Sequence, residues 1–83
     1  MSYELFTRVA LKQDFPRYRL RKGDVATIVE NHEGTPGQEC GYSLEVFNAL
    51  GETIAVFVVA ESQIEPLLND EVLHVRQLEM AEV

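Results

Sequence analysis

The apolar positions of this 83-residue chain fall in short runs with a period near two, and the runs are separated by glycine, proline and charged residues. That pattern predicts strands rather than helices. Phe6 to Leu11 reads as a first strand, with Phe6, Arg8 and Ala10 on one face and Val9 and Leu11 on the other, an imperfect alternation. Gly23 to His32 reads as a second. Its turn chemistry at Gly23 and Asp24 feeds Val25-Ala26-Thr27-Ile28-Val29, a β-branched run that favours a largely buried strand. Gly41 to Phe47 alternates most cleanly, with Tyr42, Leu44 and Val46 on one face and Ser43, Glu45 and Phe47 on the other, as in a half-buried antiparallel strand. Asn48-Ala49-Leu50-Gly51-Glu52 is a hairpin turn with Gly51 placed for positive φ, and Thr53 to Val59 returns as the fourth strand of a meander. The longest apolar run, Ile54 to Ala60, fits a buried strand.

The connections are equally patterned. Lys12 to Lys22 is a long, polar, non-periodic loop in which Pro16 holds Phe15 extended and argues against a helix; Phe15, Tyr18 and Leu20 are its expected anchors. Glu33 to Gln38 carries two glycines and a proline and is the clearest loop. Ala60 to Leu67, broken by Pro66, predicts one helical or 3₁₀ turn leading to a brief extended segment. Val72 to Leu78 reads either as a closing strand or as the start of a helix, its β-branched residues tilting the reading to strand, with Glu79 to Val83 as a frayed tail. The expected fold class is all-β: a small SH3-like antiparallel barrel of five to six strands, with a long loop after strand one and a short helical turn before the last, forming a single domain over residues 1–83.

Composition agrees with one ordinary globular domain, at 46% hydrophobic and 25% charged residues. No apolar run reaches the roughly 18 residues that span a bilayer. Met1 to Phe6 lacks the basic and apolar regions of a signal peptide, and the single cysteine, Cys40, fits a reducing compartment, so a cytoplasmic protein is expected. Charge changes the picture more. The segment Arg8 to Lys22 carries +5, whereas Gly23 onward carries −11, with Arg76 its only base. Such a split bears on partners rather than on fold.

Three stretches carry a resemblance: Leu20-Arg21-Lys22-Gly23-Asp24-Val25-Ala26-Thr27-Ile28-Val29-Glu30, Tyr42-Ser43-Leu44-Glu45-Val46-Phe47 and Ala60-Glu61-Ser62-Gln63-Ile64-Glu65-Pro66-Leu67. Over about Leu5 to Arg76 the chain resembles a group of small bacterial and cyanobacterial proteins described only as a domain of unknown function. Members show Leu-x-x-Gly-Asp-x-Gly-Thr-Val, a Tyr-x-Val-Glu-Phe-like strand and a Ser-Gln-Leu/Ile element. Ala26 stands at the usual second glycine, and Leu44-Glu45-Val46-Phe47 departs slightly from Val-Glu-Phe. The resemblance implies the barrel and brings no catalytic residues.

Candidate chemistry is sparse. Gly23-Asp24-Val25 is similar to the Gly-x-Val turn of RNA-binding barrels, yet the acidic balance argues against nucleic acid, and Asp24 is expected to cap the turn by bonding nearby backbone. His32, Glu33, Glu39 and Cys40, with His74 at a distance, do not make a paired zinc-ligand set. Cys40 or Ser62 with His32 or His74 lacks the orienting group and oxyanion pocket of a nucleophilic centre. The expectation is therefore no enzyme, no catalytic residue, no metal and no cofactor. The strongest partner-binding candidates are Arg17, Tyr18, Arg19, Arg21 and Lys22, residue types favoured at interfaces and carried on a loop. The sequence thus points to a non-catalytic interaction module with a protein partner, in one form the acidic neutraliser of a basic protein. The alternatives are an RNA-associated barrel using residues 17–22 and an accessory subunit of a larger enzyme, which would expose an apolar strip along a sheet edge. No membrane association is expected, and a homo-oligomer stays open.

Overall fold

The computed structural model describes residues 3–78 and folds them as all-β, with β1 (Arg8–Leu11), β2 (Val25–His32), β3 (Gly41–Phe47), β4 (Thr53–Ala60) and β5 (Ile64–Pro66). The strands make one antiparallel sheet in the order β4-β3-β2-β1-β5. β4 and β5 are therefore the two ends of the sheet, yet only the single 3₁₀ turn Glu61–Gln63 separates them in sequence. Four inter-strand spacings would set them ~19 Å apart in a flat sheet. From Ala60 to Ile64 the chain spans at most ~15 Å even when extended, and less through a 3₁₀ turn. The sheet must coil, and its coiling makes the fold barrel-like.

The inside of the coil is one apolar cluster drawn from every strand: Val9 and Leu11, Ala26 and Ile28, Tyr42, Leu44 and Val46, Phe57 and Val59, and Ile64, closed by Leu20 from the first loop. The alternation read for the third strand holds, with Tyr42, Leu44 and Val46 all buried. Ser43 is buried as well, beneath His32, whose Nε2 lies 2.7 Å from the Ser43 hydroxyl. The β3–β4 hairpin forms as expected. Gly51 adopts φ +85°, and Asn48 Oδ1 accepts from the amides of Leu50 and Glu52.

Four expectations are corrected. The first strand begins at Arg8, because Phe6 sits at φ +65°, 73% exposed, with its amide donating to the Ile28 carbonyl at 2.6 Å. A phenylalanine in the left-handed region costs about 1–2 kcal/mol and cannot continue a strand. The first loop, read as free of helix, contains a 3₁₀ turn at Pro16–Tyr18; Pro16 occupies its first position, where a missing N–H leaves no bond unmade. β4 is not a buried strand. Phe57 and Val59 point inward, while Ile54, Val56 and Val58 face outward, because a strand at the end of the sheet is covered on its inner face only. Residues 72–78 form neither strand nor helix, and the closing strand is Ile64–Pro66, as the short extended segment after the turn implied. A strand over 72–78 would put Val72 and Val75 on opposite faces and give neither face a continuous apolar side. Glu79 to Val83 lie outside the described residues.

Inner and outer positions of the same hairpin should respond differently to truncation. Leu44→Ala, at a fully buried site, is expected to lower unfolding free energy by about 2–5 kcal/mol, whereas Val56→Ala should cost less than about 1 kcal/mol; urea denaturation of the two variants checks this.

Candidate interaction surface

The cationic loop is a built hairpin extension. Leu11 and Gly23–Asp24 close its neck, through Gly23 N–H to the Leu11 carbonyl at 2.8 Å and Leu11 N–H to the Asp24 carbonyl at 2.9 Å. Further out, Phe15 and Leu20 form an isolated antiparallel bridge around the Pro16–Tyr18 turn, and Arg19 takes a left-handed φ of +60° to reverse the chain. Lys22 N–H donates to Asp14 Oδ1 at 2.8 Å. Of the predicted partner-binding residues, Arg17, Arg19, Arg21 and Lys22 are exposed, and Tyr18 is half-buried. The Tyr18 ring stacks on Phe57 of β4, centroids 4.4 Å apart at 16°, and the Arg17 guanidinium lies over the Tyr18 ring, 5.6 Å from its centroid. Tyr18 therefore acts as the anchor that fixes the loop to the inner face of β4, together with Phe15, whose ring is 5.2 Å from Phe57.

Asp24 caps the turn as expected: Arg21 N–H donates to Asp24 Oδ2 at 2.7 Å, with Gly23 supplying φ +94°. It also does something the sequence did not disclose. Arg76, fifty-two residues on, places Nε 3.1 Å from Asp24 Oδ1 and Nη2 against Oδ2, a bidentate pair that pins the irregular C-terminal segment to this turn. The Asp24 carboxylate, through that bond, raises the Arg76 guanidinium above its already high ordinary value.

Of the residues weighed for catalysis or metal binding, His32, Ser62 and Glu39 bond to partners outside any nucleophile–base pair. His32 reaches Ser43 rather than Cys40 or Ser62. The same Nε2 lies 3.8 Å from Glu30 Oε1, so the carboxylate does not orient the ring through its second nitrogen as a relay requires. Ser62 donates its amide and hydroxyl to Glu39 at 2.8 and 3.2 Å, tying the second loop to the turn before β5. His32, Glu33 and Cys40 line one cavity of about 120 Å³ with Asn31 and Tyr42, and a second of about 230 Å³ sits over the cationic loop; both fall below the ~300 Å³ that encloses a drug-sized ligand. Among the described residues no three His, Cys, Asp or Glu side chains converge as a metal site.

Two further features escaped the sequence reading. One is a part-buried polar relay: Tyr3 N–H donates to the Tyr42 hydroxyl at 3.0 Å, which donates to Glu61 Oε1 at 2.9 Å, with the Tyr3 ring edge-on to Tyr42 at 5.5 Å. Burial pushes the Tyr42 phenol above its ordinary value of 10.0; the Tyr3 amide opposes the rise, and Glu61 adds to it. The other is an apolar outer face. Val56 is 59% and Val58 63% exposed, with Ile54 beside them and Phe47 at the end of β3. Register places Ser43 opposite Val58 and Glu45 opposite Val56, and the Thr53 hydroxyl donates to Glu45. Because side chains alternate along a strand, this stripe and the Tyr18-anchored loop lie on opposite faces of β4. No local signal marked it, because a charge-free run such as Ile54 to Ala60 reads alike for a central and an end strand.

The family model described as "Domain of unknown function (DUF4926)" matches residues 5–66, and the chain belongs to that family. The match runs from just before β1 to the last residue of β5, so it covers the whole sheet and leaves the Arg76-pinned segment beyond it. No curated protein and no solved structure matches the chain.

The Tyr42 phenol sets an alkaline limit on stability. With its folded pKa raised, the stabilisation is fully present below about pH 10 and is lost as pH rises through the folded value, because the unfolded phenol ionises first. Tyr42→Phe is expected to cost about 1–2 kcal/mol near neutrality through its lost hydrogen bonds. The gap from the wild type should narrow in urea melts as pH climbs above about 10.

Proposed function

We propose that this member of the family is a non-catalytic protein-interaction module whose acidic sheet receives a basic protein partner. The observation that carries the reading is the exposed outer stripe of Ile54, Val56 and Val58 with Phe47, set within a sequence that has no lysine or arginine between Lys22 and Arg76. Clustered exposed apolar residues mark contact surfaces on small domains, and an acidic rim selects a cationic partner and speeds its approach. The cationic loop does not oppose this, since Tyr18 holds it to the other face of β4. Arg17, Arg19, Arg21 and Lys22 are left as a second surface on the same module, and Tyr18 as its anchor. The separate partners of His32 and Ser62, Ser43 and Glu39 respectively, support the non-catalytic part of the reading. The strand order supports an SH3-like type for the barrel, and an unpaired Cys40 fits a bacterial cytoplasm as the working compartment.

Affinity capture from the native lysate on immobilised chain tests the reading. The expected result is a basic protein that elutes as salt rises and is lost from a Glu45→Lys/Glu52→Lys variant, while Arg17→Ala/Lys22→Ala retains it. Capture of RNA in its place, abolished by Arg17→Ala/Lys22→Ala, overturns the proposal.

A further inference from the structure

We propose that the partner is seated by strand addition: an extended cationic segment, alternating apolar and polar residues and flanked by lysine or arginine, pairs with the open edge of β4. This inference rests on the interaction-module reading and specifies how and where the module binds. The two ends of the sheet are treated differently by the sequence. β5 is three residues long, carries Glu65 and ends on Pro66, and short length, charge and proline are the devices that blunt an edge. β4 spans eight residues, Thr53–Ala60, without a charge or a proline, and pairs only with β3. Among the described residues no loop closes on its other side through a backbone hydrogen bond; the one further bond to its backbone is Ala60 N–H to Gln63 Oε1 at its very end. A long, apolar edge left open is a template for another chain, and added strands draw affinity from the ladder and specificity from alternate side chains.

The side chains and charges around that edge select the occupant. An added strand would place every second residue beside Ile54, Val56 and Val58 and extend the outer stripe by one strand width. Glu52 immediately precedes β4 and Glu61 immediately follows it, in a stretch from Gly23 to Val75 that holds no lysine or arginine. Both ends of an incoming strand therefore meet an anionic field, and lysine or arginine there is matched. A second copy of this chain is not: pairing β4 with β4 brings like carboxylates together between two molecules that each carry −7.

Selection of a displayed library of random peptides about 12 residues long on the intact chain tests the proposal and requires no identified partner. Enrichment of alternating apolar sequences flanked by lysine or arginine is expected, followed by slowed hydrogen exchange of amides within Thr53–Ala60 when the best peptide, made synthetically, is added. Val56→Lys should weaken that peptide about tenfold or more, and Val58→Thr, which keeps a β-branched side chain, should weaken it measurably. Val72→Lys, at a residue 91% exposed outside the sheet, should leave it unchanged. A cationic peptide that binds but protects no β4 amide overturns strand addition and leaves the interaction reading standing. No enrichment of cationic sequences overturns both, and a β4-paired dimer of the chain alone, seen by sedimentation and abolished by Val56→Lys, overturns the choice of occupant.

Discussion

The fold depends on a constraint of reach: the chain has to pass from one end of the sheet to the other in four residue steps. No flat five-stranded sheet allows that. Once Glu61–Gln63 forces the coil, the inner faces of all the strands converge on Tyr42, Leu44, Ile28, Leu11 and Val9, and a short chain obtains a dry core without a helix to cover it. The same turn is fastened from several sides, by Gln63 to the Ala60 amide, Ser62 to Glu39 and Glu61 to Tyr42. These bonds hold the corner at which the coil is decided.

Coiling also fixes what is left outside. A closed barrel abolishes its edges, but here β5 pairs with β1 and β4 retains one open side. The cationic first loop, anchored through Phe15 and Tyr18 on Phe57, covers the inner side of β4 and cannot shield the outer one. The two faces of β4 thus differ, with the ordered cationic hairpin on one and the apolar stripe beside Glu45 on the other. Asp24, at the boundary, is occupied by Arg21 and Arg76 and belongs to the architecture.

Much of this was legible in the residues. The clean alternation of Gly41 to Phe47 specified its register, because a period of two with one buried face leaves a single solution. Gly51 and the Gly23-Asp24 pair announced their turns through backbone conformations that other residues adopt at a cost. What stayed hidden depended on neighbours. The run Ile54 to Ala60 is equally apolar whether it lies at the centre or at the end of a sheet, so composition alone pointed to burial where strand order dictates exposure. Phe6 looked like a strand residue because nothing in its type forecasts a left-handed φ. Arg76 is fifty-two residues from Asp24, and a pairing at that separation follows from the folded path and leaves no local signature. For the candidate surface, residue types correctly marked the loop as displayed, while the outer stripe emerged only when the inward partners of β4 were known.

Phe57 packs into the barrel and also receives the rings of Phe15 and Tyr18, so one side chain answers to the core and to the loop at once. Positions 15, 18 and 57 therefore form a unit of inheritance. Among relatives they should vary in concert, a smaller ring at one matched by a larger ring at another.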